Sequence, residues 1–338
     1  MKEGIKVVFA GPRTVELRPQ ARPPVADNEV LIKTERSLLS PGTELALYEG
    51  THAGIADPEI PYAKYPHLPG YASIGLVVQA GGGVSTPKTG SRIFHHGRHA
   101  SWSVLNPQAE VWLPVPADLS DDEILLARLV QISATTLYRL HSQPNRVIVI
   151  GAGMVGLLAA QVLRADGVRD VVIQDLNAER AARASHCGLK AVAGASGQGL
   201  AAALDALGGP PDCIVEATGV PALVPVALAA VKRGGDVLIL GSPRGPQEID
   251  LYKQVHLKGA SLIGVHETMV PNYAAAGRPS RHELIRQAFH WIRTRQVVVD
   301  SLITQVVPPS GLPAIYERLA CDKTTMLGVA VDWTGLVK

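Results

Sequence analysis

Hydrophobic and polar positions change rhythm along this chain. Up to about residue 120 the apolar runs are short and rich in β-branched residues. EVLIKTE (29–35), SIGLVVQA (73–80) and SRIF (91–94) read as strands, separated by the turn-forming segments PPVADN, GGGVSTPKTG and NPQAE. This pattern predicts an irregular, mostly β unit. At about residue 121 the spacing becomes helical: DDEILLARLVQISATTLYRL carries apolar residues at helical intervals behind an acidic first turn, which suits the positive end of the helix dipole.

Strands and helices then alternate. RVIVI (146–150), DVVIQ (170–174), DCIVEA (212–217), DVLIL (236–240) and ASLIGV (260–265) read as short buried strands. MVGLLAAQVLRADG, AERAARASHCG and ALVPVALAAVKRGG are helices between them. Continuous apolar strands alternating with helices predict a doubly wound α/β fold, its parallel sheet covered on both faces. GASGQGLAAAL (194–204) is rich in small residues and reads as a stretch between elements. Beyond about residue 265 come an amphipathic helix, HELIRQAFHWIRT, a strand-like SLITQVV and the terminal MLGVAVDW. There is no internal repeat.

Composition narrows the partners. The 338 residues suffice for two cores. Aromatics are only 4% and the net charge is +2, so neither a stacking platform for nucleic acid nor a basic membrane patch is implied. No apolar run is long enough to span a bilayer. The N-terminus lacks the apolar segment of a signal peptide. Cys187, Cys213 and Cys321 are far apart and odd in number, which suits reduced thiols. The expectation is a cytoplasmic protein.

The most informative segment is VIVIGAGMVGLLAAQ (147–161). Its GxGxxG follows a predicted strand and opens a helix, and Asp175 closes the next strand: the arrangement of a Rossmann dinucleotide site. Gly151 permits the tight turn, Gly153 lets backbone approach a pyrophosphate, and Gly156 lets helix pack on strand. Met154 and Val155 stand at the helix N-terminus, whose free N–H groups attract anions. Thr218 and Gly241, just past two later strands, complete the expected cofactor set. Asp175 would accept both hydroxyls of the adenosine ribose and repel a 2′-phosphate, which favours NAD(H). Arg180 is near enough in sequence to accept that phosphate, so NADP(H) is the less favoured alternative. The competing reading is a structural turn with a surface Asp.

Several segments resemble the medium-chain dehydrogenase/reductase superfamily: SLLSPGTELALYEG, YPHLPGYASIGLVVQAGGGVS with TGSRI, and IVEATGVPALVPVALAAVKRGGDVLILG. Within it, SPGTE, YPHLPGY and the terminal Asp332–Trp333 resemble the group named for bacteriochlorophyllide a dehydrogenase. The resemblance implies a discontinuous, mostly β GroES-like catalytic domain over residues 1–121 and 265–338, and a Rossmann domain over 122–264. It also implies a small-molecule alcohol or carbonyl substrate in the cleft between them.

Zinc members of that superfamily hold a catalytic metal with three protein ligands and leave a fourth position open. By the resemblance, those three places are held here by Pro41, Tyr71 and Gln131, poor zinc ligands or none. Ala72 replaces the neighbouring glutamate, and the cysteines of the structural zinc lobe are missing. The expectation is no zinc of either kind. His95, His96 and His99 have metal-like spacing, with a solvated His-rich turn as the other reading.

Without zinc, other groups must handle the substrate oxygen. Tyr71, at a metal-ligand place, is a candidate hydrogen-bond donor or a core tyrosine. Thr43 matches the relay Ser/Thr and is expected to orient. Glu44 stands at a place that supports the metal site, or is structural. His266, after the last Rossmann strand, is a candidate acid–base group or is bonded to a loop carbonyl. Thr135 matches a residue that packs on the nicotinamide.

The expected activity is NAD(H)-dependent hydride transfer between nicotinamide and a secondary alcohol or ketone. The alternatives are an NADPH-type quinone or enoyl reductase and a non-catalytic dinucleotide-binding protein. ASLIGV is expected at a sheet edge, pairing two copies into a homodimer.

Overall fold

The computed structural model describes residues 3–275, 279–300, 302–322 and 326–336. Its N-terminal part is antiparallel. β1 (Gly4–Gly11) and β2 (Thr14–Gln20) form a hairpin that the apolar pattern did not single out. β3 (Val30–Leu39), β4 (Ser73–Ala80), β5 (Arg92–His95), β6 (Trp102–Leu105) and β7 (Trp112–Pro114) build the larger sheet, with β3 between β4 and β6. Between β3 and β4 run α1 (Thr43–Glu49) and single helical turns at Ala53–Ile55 and Pro61–Ala63.

α2 (Asp121–Ala134) opens with a capping box in which Ser120 and Glu123 satisfy each other's backbone N–H. It ends before the periodic run does, at Thr135–Thr136. Both threonine hydroxyls bond back to the last turn, Thr135 to the Gln131 carbonyl (3.4 Å) and Thr136 to that of Ser133 (2.7 Å), competing with helical pairing.

The α/β part follows in order: β8 (Arg146–Ile150), α3 (Met154–Ala165), β9 (Asp170–Asp175), α4 (Ala178–His186), β10 (Lys190–Ala193), α5 (Ser196–Leu207), β11 (Cys213–Glu216), α6 (Leu223–Ala230), β12 (Asp236–Ile239) and β13 (Ser261–Gly264). All six strands are parallel, in the order β10-β9-β8-β11-β12-β13. The order reverses between β8 and β11, which opens the crevice where such sheets take ligands. GASGQGLAAAL is a correction: most of it is α5, whose Leu200, Ala203 and Leu207 are buried with β8, β9 and β11 residues. β13 is an edge strand, with Leu262 exposed.

The chain then returns to the first sheet. α7 (Arg281–Arg293), β14 (Ile303–Val307), α8 (Leu312–Cys321) and β15 (Gly328–Asp332) complete it, and β15 lies antiparallel to β3. Ser301, first residue of the strand-like SLITQVV, lies outside the described residues. α2 packs against both α3 and α7, in a core that joins Leu38 and Ile74 of the antiparallel sheet to Val147 and Val215 of the parallel one. It carries two polar side chains into that interior: Arg128 is 2% exposed and Gln131 0%. Among the described residues no helix is long and apolar enough to cross a membrane.

Candidate active site at the crevice

Gly151 leaves β8 at φ 103°, where a Cβ would stand 2.7 Å from Thr218 Cγ2. Gly156 faces it from the first turn of α3: a Cβ there would fall 1.9 Å from the Gly151 carbonyl oxygen. Strand end and helix thus approach more closely than any side chain permits. Gly153, at the α3 N-cap, is different, because a Cβ there would meet nothing within 4 Å. Space lies open beside a helix end that no side chain caps, leaving the N–H groups of Met154 and Val155 without intrahelical partners. Past β12, Gly241 runs against the Thr218–Gly219 backbone, and a Cβ there would be 2.3 Å from the Gly219 nitrogen.

Asp175 ends β9 and is buried, so it is not a surface Asp. Its Oδ2 accepts from the Ala152 N–H (2.7 Å) and its Oδ1 from that of Asn177 (2.8 Å). The carboxylate therefore ties the glycine loop to the end of β9, a link the motif alone did not reveal. Arg180 Nη1 stands 4.0 Å from Asp175 Oδ2. Glu216, which the sequence reading passed over, ends β11 and accepts from the N–H groups of Thr218 (2.7 Å) and Gly219 (3.1 Å). Burial raises its carboxyl above the usual range. Its signal was an acidic residue closing an apolar strand. Open space at a bare helix end, with a fixed carboxylate one strand away, fits the pyrophosphate and ribose of a dinucleotide.

The positions compared with zinc ligands contain something else. Tyr71 is partly buried. Burial, then the Glu44 carboxylate, push the phenol well above its usual range, so it is a neutral donor. Arg128 lies over its ring, 5.2 Å from the centroid. The same guanidinium donates to the Tyr71 carbonyl (3.4 Å) and to Gln131 Oε1, and pairs with Glu267 Oε2 at 2.5 Å. A protein cation thus joins two of the three positions, while Pro41 brings no ligating atom. This donor set does not fit a zinc ion. Among the described residues no three His, Cys, Asp or Glu side chains are arranged to hold a metal.

The histidine loop is a second correction. It is not a solvated turn: His99 is fully buried and His95 nearly so. His99 bonds Ser37 Oγ through Nδ1 (2.8 Å) and Glu44 Oε2 through Nε2 (3.0 Å). Burial pushes His95 down to about 4. Burial, then Arg128 and Arg281, push His96 well below its usual range, so both rings are neutral at pH 7. Glu44 also accepts from the Ser40 N–H (3.0 Å) and the Tyr316 hydroxyl (2.6 Å), which gives it a structural role beside its field on Tyr71.

Thr43 is the partly buried first residue of α1, adjacent to Glu44 in the chain. Thr135 is buried at the end of α2. His266 is exposed, and its Nδ1 is engaged by Thr268, by the hydroxyl (2.7 Å) and by the backbone N–H (3.4 Å), rather than by a loop carbonyl. Tyr71 and His266 flank one ionic cluster: Glu267 follows His266 in the chain and pairs with the arginine on the Tyr71 ring. Arg128, Arg281 and Glu267 were not read from the sequence. Arg128 was visible as a lone charge inside the apolar LLARLVQ, one turn before Gln131.

Comparison with known proteins agrees with this architecture. An alcohol dehydrogenase from Escherichia coli CFT073, solved with NADH, superposes with a TM-score of 0.81 at 17% identity, covering 98% of this chain and 100% of that one. The chain has the alcohol dehydrogenase-like medium-chain fold. A structure from Sinorhizobium meliloti 1021 described as a zinc-binding dehydrogenase, bound to NADP, gives a TM-score of 0.76 at 18% identity, over 98% of this chain and all of that one. The zinc-binding dehydrogenase family model matches residues 154–278. L-threonine 3-dehydrogenase of Shewanella putrefaciens is 27% identical over 275 residues, 72% of this chain and 79% of the relative.

Proposed function

We propose that this protein is an NAD(H)-dependent oxidoreductase that interconverts a secondary alcohol and a ketone without zinc. The observation that carries the reading is the open space at Gly153 over the uncapped end of α3, with Asp175 fixed at the end of β9. Bound NAD(H) would supply the hydride donor and acceptor. Met154 and Val155 would hold its pyrophosphate, Asp175 its ribose, and Thr218 and Gly241 the far wall; Thr135 would pack on the nicotinamide. Tyr71 would donate to the substrate oxygen, with Thr43 orienting and His266 relaying the proton to solvent. SPGTE, YPHLPGY and Asp332–Trp333 resemble the group named for bacteriochlorophyllide a dehydrogenase, and the cytoplasm is the proposed compartment.

The test is cofactor titration by nicotinamide fluorescence. NADH is expected to bind at least tenfold tighter than NADPH, a step of about 1.4 kcal/mol. Equal or tighter NADPH binding would favour the quinone or enoyl reductase reading. Binding of neither would end the proposal.

Zinc independence rests on the donors at the compared positions, Pro41, Tyr71 and Gln131, the last already bonded to Arg128. Elemental analysis is expected to find well under one zinc per chain, and chelators to leave turnover intact; stoichiometric zinc would contradict it. The exposed edge of β13, carrying Leu262, supports a homodimer with two sheets joined edge to edge. Light scattering at micromolar concentration is expected to give twice the chain mass, and a monomer would count against this.

A further inference from the structure

We propose that Arg128, with Gln131 and Arg281, forms a buried subsite for one anionic oxygen of the substrate, supplying the positive charge that a metal supplies in zinc relatives. The inference rests on the hydride-transfer reading and adds a positive charge to the substrate side of that site, beside the Tyr71 donor.

Charge is the first argument. Arg128 pairs with Glu267 at 2.5 Å, and Arg281 stands 3.9 Å from the same carboxylate. Two guanidinium groups share one carboxylate, which leaves one positive charge. The nearby groups do not neutralise it. Tyr71 and His96 are neutral at pH 7, and among the described residues no carboxylate other than Glu267 pairs with either guanidinium. Burial raises the Glu267 carboxyl, but the two arginines outweigh it and hold it below its usual range, so it stays ionised. A positive charge with little access to water is costly to leave uncompensated, and the Arg128 and Arg281 side chains are 3% and 17% exposed.

Unmet hydrogen bonding is the second argument. Gln131 accepts from Arg128 through Oε1, which orients its amide, and its buried Nε2 has no partner among the described residues. His96 Nε2 is also buried without a partner. Buried donors are rarely left unsatisfied. A guanidinium held over the Tyr71 ring and an amide N–H₂ with no acceptor, in a cluster of net positive charge, supply donors for an oxyanion site. The oxygen it takes is either the reacting carbinol oxygen as it gains alkoxide character or a carboxylate elsewhere on the substrate. The chemistry is shared, and the probes below separate the two sources.

The full-length protein is titrated calorimetrically, with and without saturating NAD⁺, using sodium acetate as the carboxylate probe and 2,2,2-trifluoroethanol as a readily ionised alcohol. At least one probe is expected to bind the native protein. Arg128→Gln should weaken that binding at least tenfold while NADH affinity stays within about twofold. Glu267→Gln should tighten it, because a competing negative charge is lost, a change of sign that a purely structural role does not give. Acetate responding alone assigns the site to a substrate carboxylate; trifluoroethanol responding alone assigns it to the reacting oxygen. If Arg128→Gln does not fold, Arg281→Gln is expected to show the same loss in smaller measure. The proposal is overturned if neither probe binds at concentrations up to about 100 mM, where even millimolar affinity fills a site, or if both variants bind as the native protein does. Failure of NAD⁺ to bind would instead overturn the function reading, and the titrations without cofactor would still decide the anion site.

Discussion

Tyr71→Phe is expected to lower turnover by about 10²–10³, the range for losing one donor to a developing oxyanion, with NADH affinity unchanged. The substitution removes one hydroxyl and almost no volume. The ring would keep its place, because Arg128 covers its face and donates to its backbone carbonyl. The hydroxyl is kept protonated by burial and by Glu44, so it donates rather than acts as a base at neutral pH. The proposed cofactor contacts lie elsewhere, at the glycine loop and Asp175. Thr43→Val and His266→Ala should each cost less, since the proposed roles are orientation and relay. Steady-state and single-turnover rates with the native substrate check this. Unchanged turnover in Tyr71→Phe would remove Tyr71 from the mechanism. Loss of activity in His266→Ala with NADH affinity intact would then move the acid–base role there.

Asp175→Ala is expected to weaken NADH binding by about 10² while changing NADPH binding little. Two charge-assisted ribose bonds, each worth roughly 1.5–3 kcal/mol, would be lost. The carboxylate also holds the Ala152 and Asn177 N–H groups, so its removal loosens the glycine loop itself. NADPH gains relief from repulsion and keeps Arg180 nearby, which offsets that loosening. A modest fall in melting temperature should accompany the change, because two buried N–H groups lose their acceptor. Paired fluorescence titrations of both cofactors check it. A parallel loss of NADH and NADPH affinity would mean that Asp175 serves the loop alone and not the ribose.

The proposed cofactor half of the site could be read from the chain because a Rossmann turn is local. Gly151, Gly153 and Gly156 lie within six residues, and Asp175 ends the next strand in order, so backbone geometry alone brings them together. Apolar runs gave RVIVI its bounds for the same reason: period and length suffice for a strand buried on both faces. α5 escaped that logic because its glycines and alanines carry little amphipathic signal, and only packing against the parallel sheet makes a helix of them.

The proposed substrate half depends on tertiary structure. Arg128 and Gln131 come from α2, Glu267 from the turn after β13 and Arg281 from the start of α7, with more than a hundred residues of chain between α2 and the other two segments. Their meaning is electrostatic. A charge in an apolar helix is a defect until the fold shows which carboxylate, ring and amide surround it. Sequence could say that the ligating side chains were missing at the compared positions. Only the packing of α2 beneath the returning chain could put a guanidinium among them.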